Sequence, residues 1–323
     1  MSESNGGGVV LVVTHWFDPT ADHVVEELNR RGVAVLRFDA ADFPRRLTMT
    51  GILDGAEWRG ALRLDGRSAA LEELRGAYFR RPTVFGFGEM EETEQAWARA
   101  EARAGLGGLL MASNRWLNHP HHAGYADFKP VQLTEAAAAG LDVPETLITN
   151  DPTQARTFAE RHGDVVYKPM THMRPGNGRT LYASAVTPSD LEGDAGEGIV
   201  GTAHLLQERI KHEHAVRLTV VDGMMFGAAI HAHSEAAALD WRSDYNAVTY
   251  EAVEVPAGVR RGVMAFMKVL RLRFGAFDFL VSPDRGWVFL EVNPNGQWAW
   301  IEQATGQPIA SAIADALTNQ ETT

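Results

Sequence analysis

The chain has 323 residues, 45% of them hydrophobic and 22% charged, an ordinary globular composition long enough for two or three domains. The absence of cysteine excludes disulfides, thiolate metal sites and a cysteine nucleophile. A formal charge of −12 argues against general nucleic-acid binding, which needs clustered Lys and Arg, but leaves room for a small anion in a local basic pocket.

The opening MSESNGGG is a polar tail without the pattern of a signal peptide, and no apolar run reaches the roughly 18 residues of a membrane helix. A cytoplasmic protein is expected, with no membrane partner. From residue 9, VVLVVTHWFDPTADHVVEELNRRGVAVLRFDAADFP reads as a buried strand, a polar loop, an amphipathic helix ending at Gly32 and a second strand. Continuous Val/Leu runs alternating with helices predict a parallel sheet covered on both faces. A short alternating segment near residues 48–65 is followed by LRGAYFRRPTVF, which carries Arg80 and Arg81, and an Ala/Glu/Leu-rich helix is predicted from Glu92 to Met111. SNRWLNHPHHAGYADFK is a loop and a domain boundary. Beyond it Pro130 opens a helix that Gly140 closes. ETLITND is a strand, Asp151-Pro152 caps a helix ending at His162-Gly163, and DVVYKPM is the next strand. The expected layout is α/β, turning α+β in its C-terminal part, in three segments: 1–112, 113–190 and 191–323.

FGAFDFLVSPDRGWVFLEVNPNGQW, residues 274–298, places Asp278 inside one apolar run and ends another in Glu291, Val292 and Asn293. Buried carboxylates are costly unless a positive charge sits beside them. With Pro283 to Gly286 as the loop, the two runs form a symmetric hairpin that pairs Val281 with Val288, Phe279 with Leu290, and Asp278 with Glu291. Asn293, two residues on, shares the face of Glu291. Two carboxylates and an amide oxygen, with no His or Cys, favour Mg²⁺ or Ca²⁺ over zinc. A solvated hairpin is the bland alternative, but the flanks GAFDFLV and VFLEVN read as buried.

Mg²⁺ usually binds through a few carboxylates plus substrate phosphates. Neither G-x-x-x-x-G-K-[ST] nor G-x-G-x-x-G after a strand occurs. Lys168 ends an apolar strand instead, ahead of a loop with Arg174, Gly176, Gly178 and Arg179, and glycines free a backbone to approach phosphate. Lys129 precedes a helix, and LLQERIKHEHAVRLTVV sets Arg217 inside an apolar strand, where a basic residue asks for an anionic partner.

This order of residues resembles the ATP-grasp ligases over nearly the whole chain. YFRRP, WLNHP, VPETLITNDP, VVYKP and EVNPNGQWAWIE are most similar to the graspetide (microviridin-type) synthetases. The resemblance implies an N-terminal parallel-sheet domain, a central lid domain and a C-terminal metal-bearing domain. It implies that Lys129 and Lys168 bind the ATP phosphates, that Gln207, Glu208 and Ile210 form the adenine hinge, and that Glu213 binds ribose. Asp278, Glu291 and Asn293 would hold Mg²⁺, and Arg217 would stabilise the transferred phosphoryl group. One position departs from the family: Ala215 stands where an Asp is frequent. The implied activity is ATP-dependent macrocyclisation of a ribosomal precursor peptide with a leader and an acidic core, carried out by a homodimer. Asp or Glu side chains would be activated as acyl phosphates for attack by Thr or Ser hydroxyls or a Lys amine. A ligase adding a free amino acid is the runner-up. A nucleotide-binding protein without turnover is the alternative of another class, and the complete set of Asp278, Glu291, Asn293 and Arg217 speaks against it.

Arg242, in IHAHSEAAALDWRSDYN, is a candidate for holding a substrate carboxylate, since bidentate Arg–carboxylate pairs are strong, against a local ion pair of equal weight. Arg80 and Arg81 either reach the same cleft or tie the N-terminal domain to the others. The HPHH, HEH and HAH clusters lack the i, i+4 spacing of helical zinc sites. Trp298 and Trp300 are expected to pack or to wall the cleft.

Overall fold

The Val-rich run after the tail becomes the middle of a parallel sheet. In the computed structural model, which describes residues 8–112, 115–163, 165–171 and 182–319, β1 (Val9–Val13) lies between β2 (Val35–Phe38) and β6 (Leu74–Phe79). A short β7 (Trp116–Leu117) completes the order β2-β1-β6-β7. The helix Pro19–Arg30 makes the crossover; Asp18 caps it through the Ala21 N–H and Pro19 opens it. Alternate residues of β1 serve opposite faces. Val10 and Val12 pack with this helix and with Ile309–Thr318, the last helix of the chain, whereas Leu11 and Val13 pack with Leu36, Leu106 and Leu110. Between β2 and β6 runs an antiparallel meander of β3 (Leu47–Asp54), β4 (Glu57–Leu64) and β5 (Arg67–Ala70). The helix expected from Glu92 runs to Ala102 and continues through a π-turn, Arg103–Gly107, into Gly108–Met111.

The middle of the chain forms an antiparallel sheet, β10-β9-β11-β8, from β8 (Thr146–Thr149), β9 (Val165–Lys168), β10 (Ser184–Val186) and β11 (His204–Glu208). The helix Pro152–His162 packs on it. Asp151 caps this helix as its spacing predicts, and Gly163 ends it at φ 75°, a conformation glycine adopts without strain. The loop of Arg174, Gly176, Gly178 and Arg179 lies outside the described residues.

The largest sheet is antiparallel, in the order β14-β13-β12-β15-β16: β12 (His214–Val221), β13 (Met224–Ala232), β14 (Val248–Val253), β15 (Phe274–Ser282) and β16 (Gly286–Asn293). Phe266 of the helix Ala257–Val269 meets Phe277 and Phe289 on one face of it.

The β15–β16 hairpin differs from the symmetric expectation in an instructive way. Its loop is one residue shorter, so Ser282 pairs with Gly286, Val281 with Trp287 and Phe279 with Phe289. A register shift after Asp278 then restores the expected Asp278–Glu291 pair. The extra residue sits on β16, as in a β-bulge, and such a bulge re-aims side chains without ending the ladder.

Candidate active site

Three charged residues lie in one row across the largest sheet. Arg217 pairs with Asp278 in the β12–β15 register, and Asp278 pairs with Glu291 in the β15–β16 register. Directly opposed side chains are near neighbours, and Arg217 Nη1 stands 2.9 Å from Asp278 Oδ1. Both residues are buried, Arg217 at 5% and Asp278 at 4% exposure, so each charge depends on the other for compensation. With Ala215 two positions before it, Arg217 still has a carboxylate partner in Asp278 across the strand.

The row is closed by residues from other elements. Arg242 Nη2 touches Asp278 Oδ2 and stands 3.1 Å from Glu291 Oε1, bridging the two carboxylates. Lys129 Nζ contacts Glu291 Oε2 from the first turn of the helix Lys129–Ala138. Burial works against the charge of Glu291, yet Lys129 and Arg242 hold its carboxyl well below the usual range. Burial dominates at Asp278 and pushes its carboxyl up, against Arg217 and Arg242. Lys168, at the end of β9, faces the same group. Burial, with Lys129 and Arg242 nearby, brings its ammonium down to about 8 against the pull of Glu291.

The oxygen set is therefore two opposed carboxylates with Asn293 beyond them, whose Oδ1 also accepts from the Asn295 N–H at 2.9 Å. Among the described residues no group of three or more His, Asp or Glu converges on a metal position. Hard oxygens in this number suit Mg²⁺ carrying phosphates better than a metal caged by protein alone. One guanidinium nitrogen reaches both carboxylates, so the two lie close enough to share a cation, and Asp278 Oδ1 is buried without a hydrogen-bond partner among the described residues. The residues fit the ion.

Gln207, Glu208 and Ile210 line up at the end of β11. Gln207 is buried and its Nε2 donates to Thr146 Oγ1 at 2.9 Å. Glu208 Oε1 accepts from the Glu145 N–H at 2.9 Å and from Arg285 Nη1 at 2.6 Å, which ties the strand to the β15–β16 turn. Ile210 is buried, whereas Glu213 is exposed and held by its backbone N–H to Val281 O.

Arg80 and Arg81 part company. Arg80 is buried; its Nε donates to Asp18 Oδ2 at 2.8 Å and its Nη1 to Tyr78 Oη and Gly296 O, each at 3.2 Å. It thereby clamps the end of the parallel sheet to the loop that follows Asn293. Arg81 is exposed and has no ion-pair partner among the described residues; burial of part of its side chain and the charges of Arg80 and Arg217 lower it. His15 donates its backbone N–H to Arg81 O at 3.2 Å. Trp298 is fully buried with its Nε1 donating to Tyr78 Oη, and Trp300 packs on Trp241 and Tyr250.

Two contributors escape sequence reasoning. Gln132 Nε2 donates to Val292 O at 2.9 Å, and its Oε1 accepts from the Val292 N–H at 3.0 Å. The available signal was a polar residue three positions after Lys129, on the same helix face. Trp241 lies beneath two guanidiniums, 5.3 Å from Arg217 and 4.8 Å from Arg242, and no local pattern announces that.

Residues 9–123 match the MvdD pre-ATP grasp domain. Among solved structures, a RiPP-associated ATP-grasp ligase of Chryseobacterium gregarium, in complex with ADP and a leader and core peptide, is 26% identical with a TM-score of 0.88. The alignment covers 98% of each chain. The macrocyclase MdnC of Microcystis aeruginosa, bound with precursor peptide MdnA, is 26% identical over 97% of this chain and 100% of its own, with a TM-score of 0.82. The macrocyclase MdnB of the same organism is 29% identical over the same shares, with a TM-score of 0.80. No curated protein matches. The N-terminal match and the end-to-end likeness lead to one conclusion: the chain has the fold of the ATP-grasp ligases and is most similar to those that act in RiPP biosynthesis, the graspetide synthetases among them.

Proposed function

We propose that this protein uses ATP and Mg²⁺ to close rings within a ribosomally made precursor peptide that has a leader and an acidic core. The observation that carries the reading is the row Arg217–Asp278–Glu291, with Lys129 and Lys168 facing it. A carboxylate cannot be attacked by a hydroxyl or amine until one of its oxygens becomes a leaving group. A peptide Asp or Glu carboxylate attacks the γ-phosphorus, ADP departs, and a Thr or Ser hydroxyl or a Lys amine of the same peptide then displaces phosphate from the acyl phosphate. Phosphoryl transfer demands positioning and charge neutralisation more than covalent help.

Each residue has a role in that scheme. Asp278, Glu291 and Asn293 hold Mg²⁺, which when bound neutralises charge on the phosphates. Lys129 and Lys168 hold those phosphates, and Arg217 faces the transferred group. Gln207, Glu208 and Ile210 receive adenine, and Glu213 the ribose. Arg81, exposed at the carboxyl end of β6, and Arg242 meet the acidic side chains of the peptide, while Arg80 acts as the clamp. ATP lies between a central lid domain, 113–190, and a C-terminal domain, 191–323, with residues 1–112 as the N-terminal domain. The working form is a homodimer in the cytoplasm, which light scattering and fractionation check. No helix among the described residues is long and apolar enough to cross a membrane.

Intact mass spectrometry of an acidic, Thr/Ser/Lys-bearing peptide after incubation with the protein, ATP and Mg²⁺ tests the reading. Loss of one water per bond, absent with Asp278→Asn, is the expected result. A mass gain equal to one amino acid moves the protein to the free-amino-acid ligases, and nucleotide binding without any ADP release to the non-catalytic class.

A further inference from the structure

Arg242 stands where its own neighbours call for a metal ion. Its Nη2 reaches both Asp278 and Glu291, and it comes from a separate segment: the short helix Glu235–Leu239 and the single turn Trp241–Ser243 carry it in from beyond β13. Its guanidinium is stacked on the Trp241 ring, and that ring packs in turn on Tyr245 and Trp300.

The charges around the pair leave little room for a free divalent cation. Two carboxylates already face Arg217, Arg242 and Lys129 in direct contact, with Lys168 close by. Adding a doubly charged ion to that group is opposed by Coulomb repulsion, which is strong in a buried site. The ion enters favourably only with an anion, such as a nucleotide phosphate, and only if one resident cation gives way. Arg217 lies on a central strand with its side chain 6% exposed, and Lys129 begins a packed helix. Arg242, on a single turn with its side chain 30% exposed against 6% for Arg217 and 12% for Lys129, is the most exposed of the three cations in contact with the pair, and Asp240 beside it at 3.5 Å gives its guanidinium another carboxylate.

We propose that Arg242 is a built-in counter-cation of the Asp278–Glu291 pair, displaced when a divalent cation enters with its nucleotide and then available to an acidic side chain of the peptide. The inference rests on the metal-site reading above and deepens it. It makes peptide capture follow nucleotide loading, because the guanidinium exchanges two protein carboxylates for a substrate carboxylate of the same chemistry.

Binding of Mn²⁺ to the whole protein, followed by electron paramagnetic resonance with and without ADP, tests this without any turnover. Without nucleotide, R242Q should bind Mn²⁺ at least about tenfold more tightly than the wild type. R242K, which keeps the charge on a shorter side chain, should fall between them. With ADP present the three proteins should converge. Unchanged or weaker binding of free Mn²⁺ by R242Q overturns the proposal. Should R242Q not fold, R242K decides the matter, and an affinity equal to wild type is the overturning result. Mn²⁺ binding that follows the expected pattern, with no peptide dehydrated, overturns only the ring-forming reading and leaves Arg242 assigned.

Discussion

Gln132 holds Val292 by both of its backbone groups, donating to the carbonyl and accepting from the N–H. The same helix sends Lys129 to Glu291, so one rigid element fixes both the carboxylate and the strand that carries it. The third hydrogen bond of Gln132, to Ala126 O at 2.6 Å, anchors the amide in turn.

Replacing Gln132 by Leu should therefore cost about 2–4 kcal/mol, since it strands the two polar groups of a buried backbone unit. Urea denaturation gives the number. A loss below 0.5 kcal/mol, within the usual range of surface changes, would remove Gln132 from the supports of the site.

Asp278→Ala and Asp278→Asn should differ. The alanine variant leaves Arg217 buried without its carboxylate, a deficit of about 3–5 kcal/mol. The asparagine variant keeps an oxygen for the guanidinium while it weakens the metal set, so ADP release should fall by at least about a hundredfold with most of the stability kept. Melting curves paired with an ADP assay separate the two. Equal stability in both variants would mean that the Arg217–Asp278 pair matters little to the fold.

Nucleotide binding should take up a proton above neutrality. Lys168 titrates near 8 in the free protein, against an ordinary value of 10.5, and phosphates favour its charged form. ADP affinity should fall as the pH rises through about 8. Calorimetry in buffers of different ionisation enthalpy should show proton uptake at pH 8.5 and almost none at pH 7. Between about 8 and 10.5 the folded state holds fewer protons than the unfolded one, so the cost of burying the charged ammonium fades as the pH rises through that window. Proton uptake equal at both pH values would dissociate Lys168 from the phosphates.

Arg80→Ala should destabilise the protein by about 3–5 kcal/mol, because Asp18 is left buried and unpaired. Arg81→Ala, at an exposed position, should stay within about 0.5 kcal/mol of wild type and act on peptide KM instead. Thermal melts and a peptide titration would expose a reversal of these roles.

Most of the site's residue types were legible because they announce themselves locally. A Lys at a helix start, a Lys ending a Val-rich strand, an Arg inside another and a carboxylate pair across a hairpin are each set by a short stretch of chain. The same holds for the Asp151 cap and the stop at Gly163, which local hydrogen bonds and permitted φ values decide. The Asp278–Glu291 pairing followed from hairpin arithmetic alone, although the turn and the bulge each departed from it by one residue and cancelled.

What the sequence by itself determined, then, is the kind of each element and the chemistry each carries, since periodicity and capping are written within a few residues. Only the tertiary structure decided which charges meet. Gln132 and Val292 are 160 positions apart, Lys129 and Glu291 162, and Arg80 and the Gly296 carbonyl 216. The C-terminal helix Ile309–Thr318 likewise covers the sheet that β1 begins. Such contacts arise because buried charges and apolar faces must find partners wherever the packed chain brings them, and no local pattern records that search. Arg242 is the plainest case: its segment reads as a polar loop, and only the fold places its guanidinium between two carboxylates.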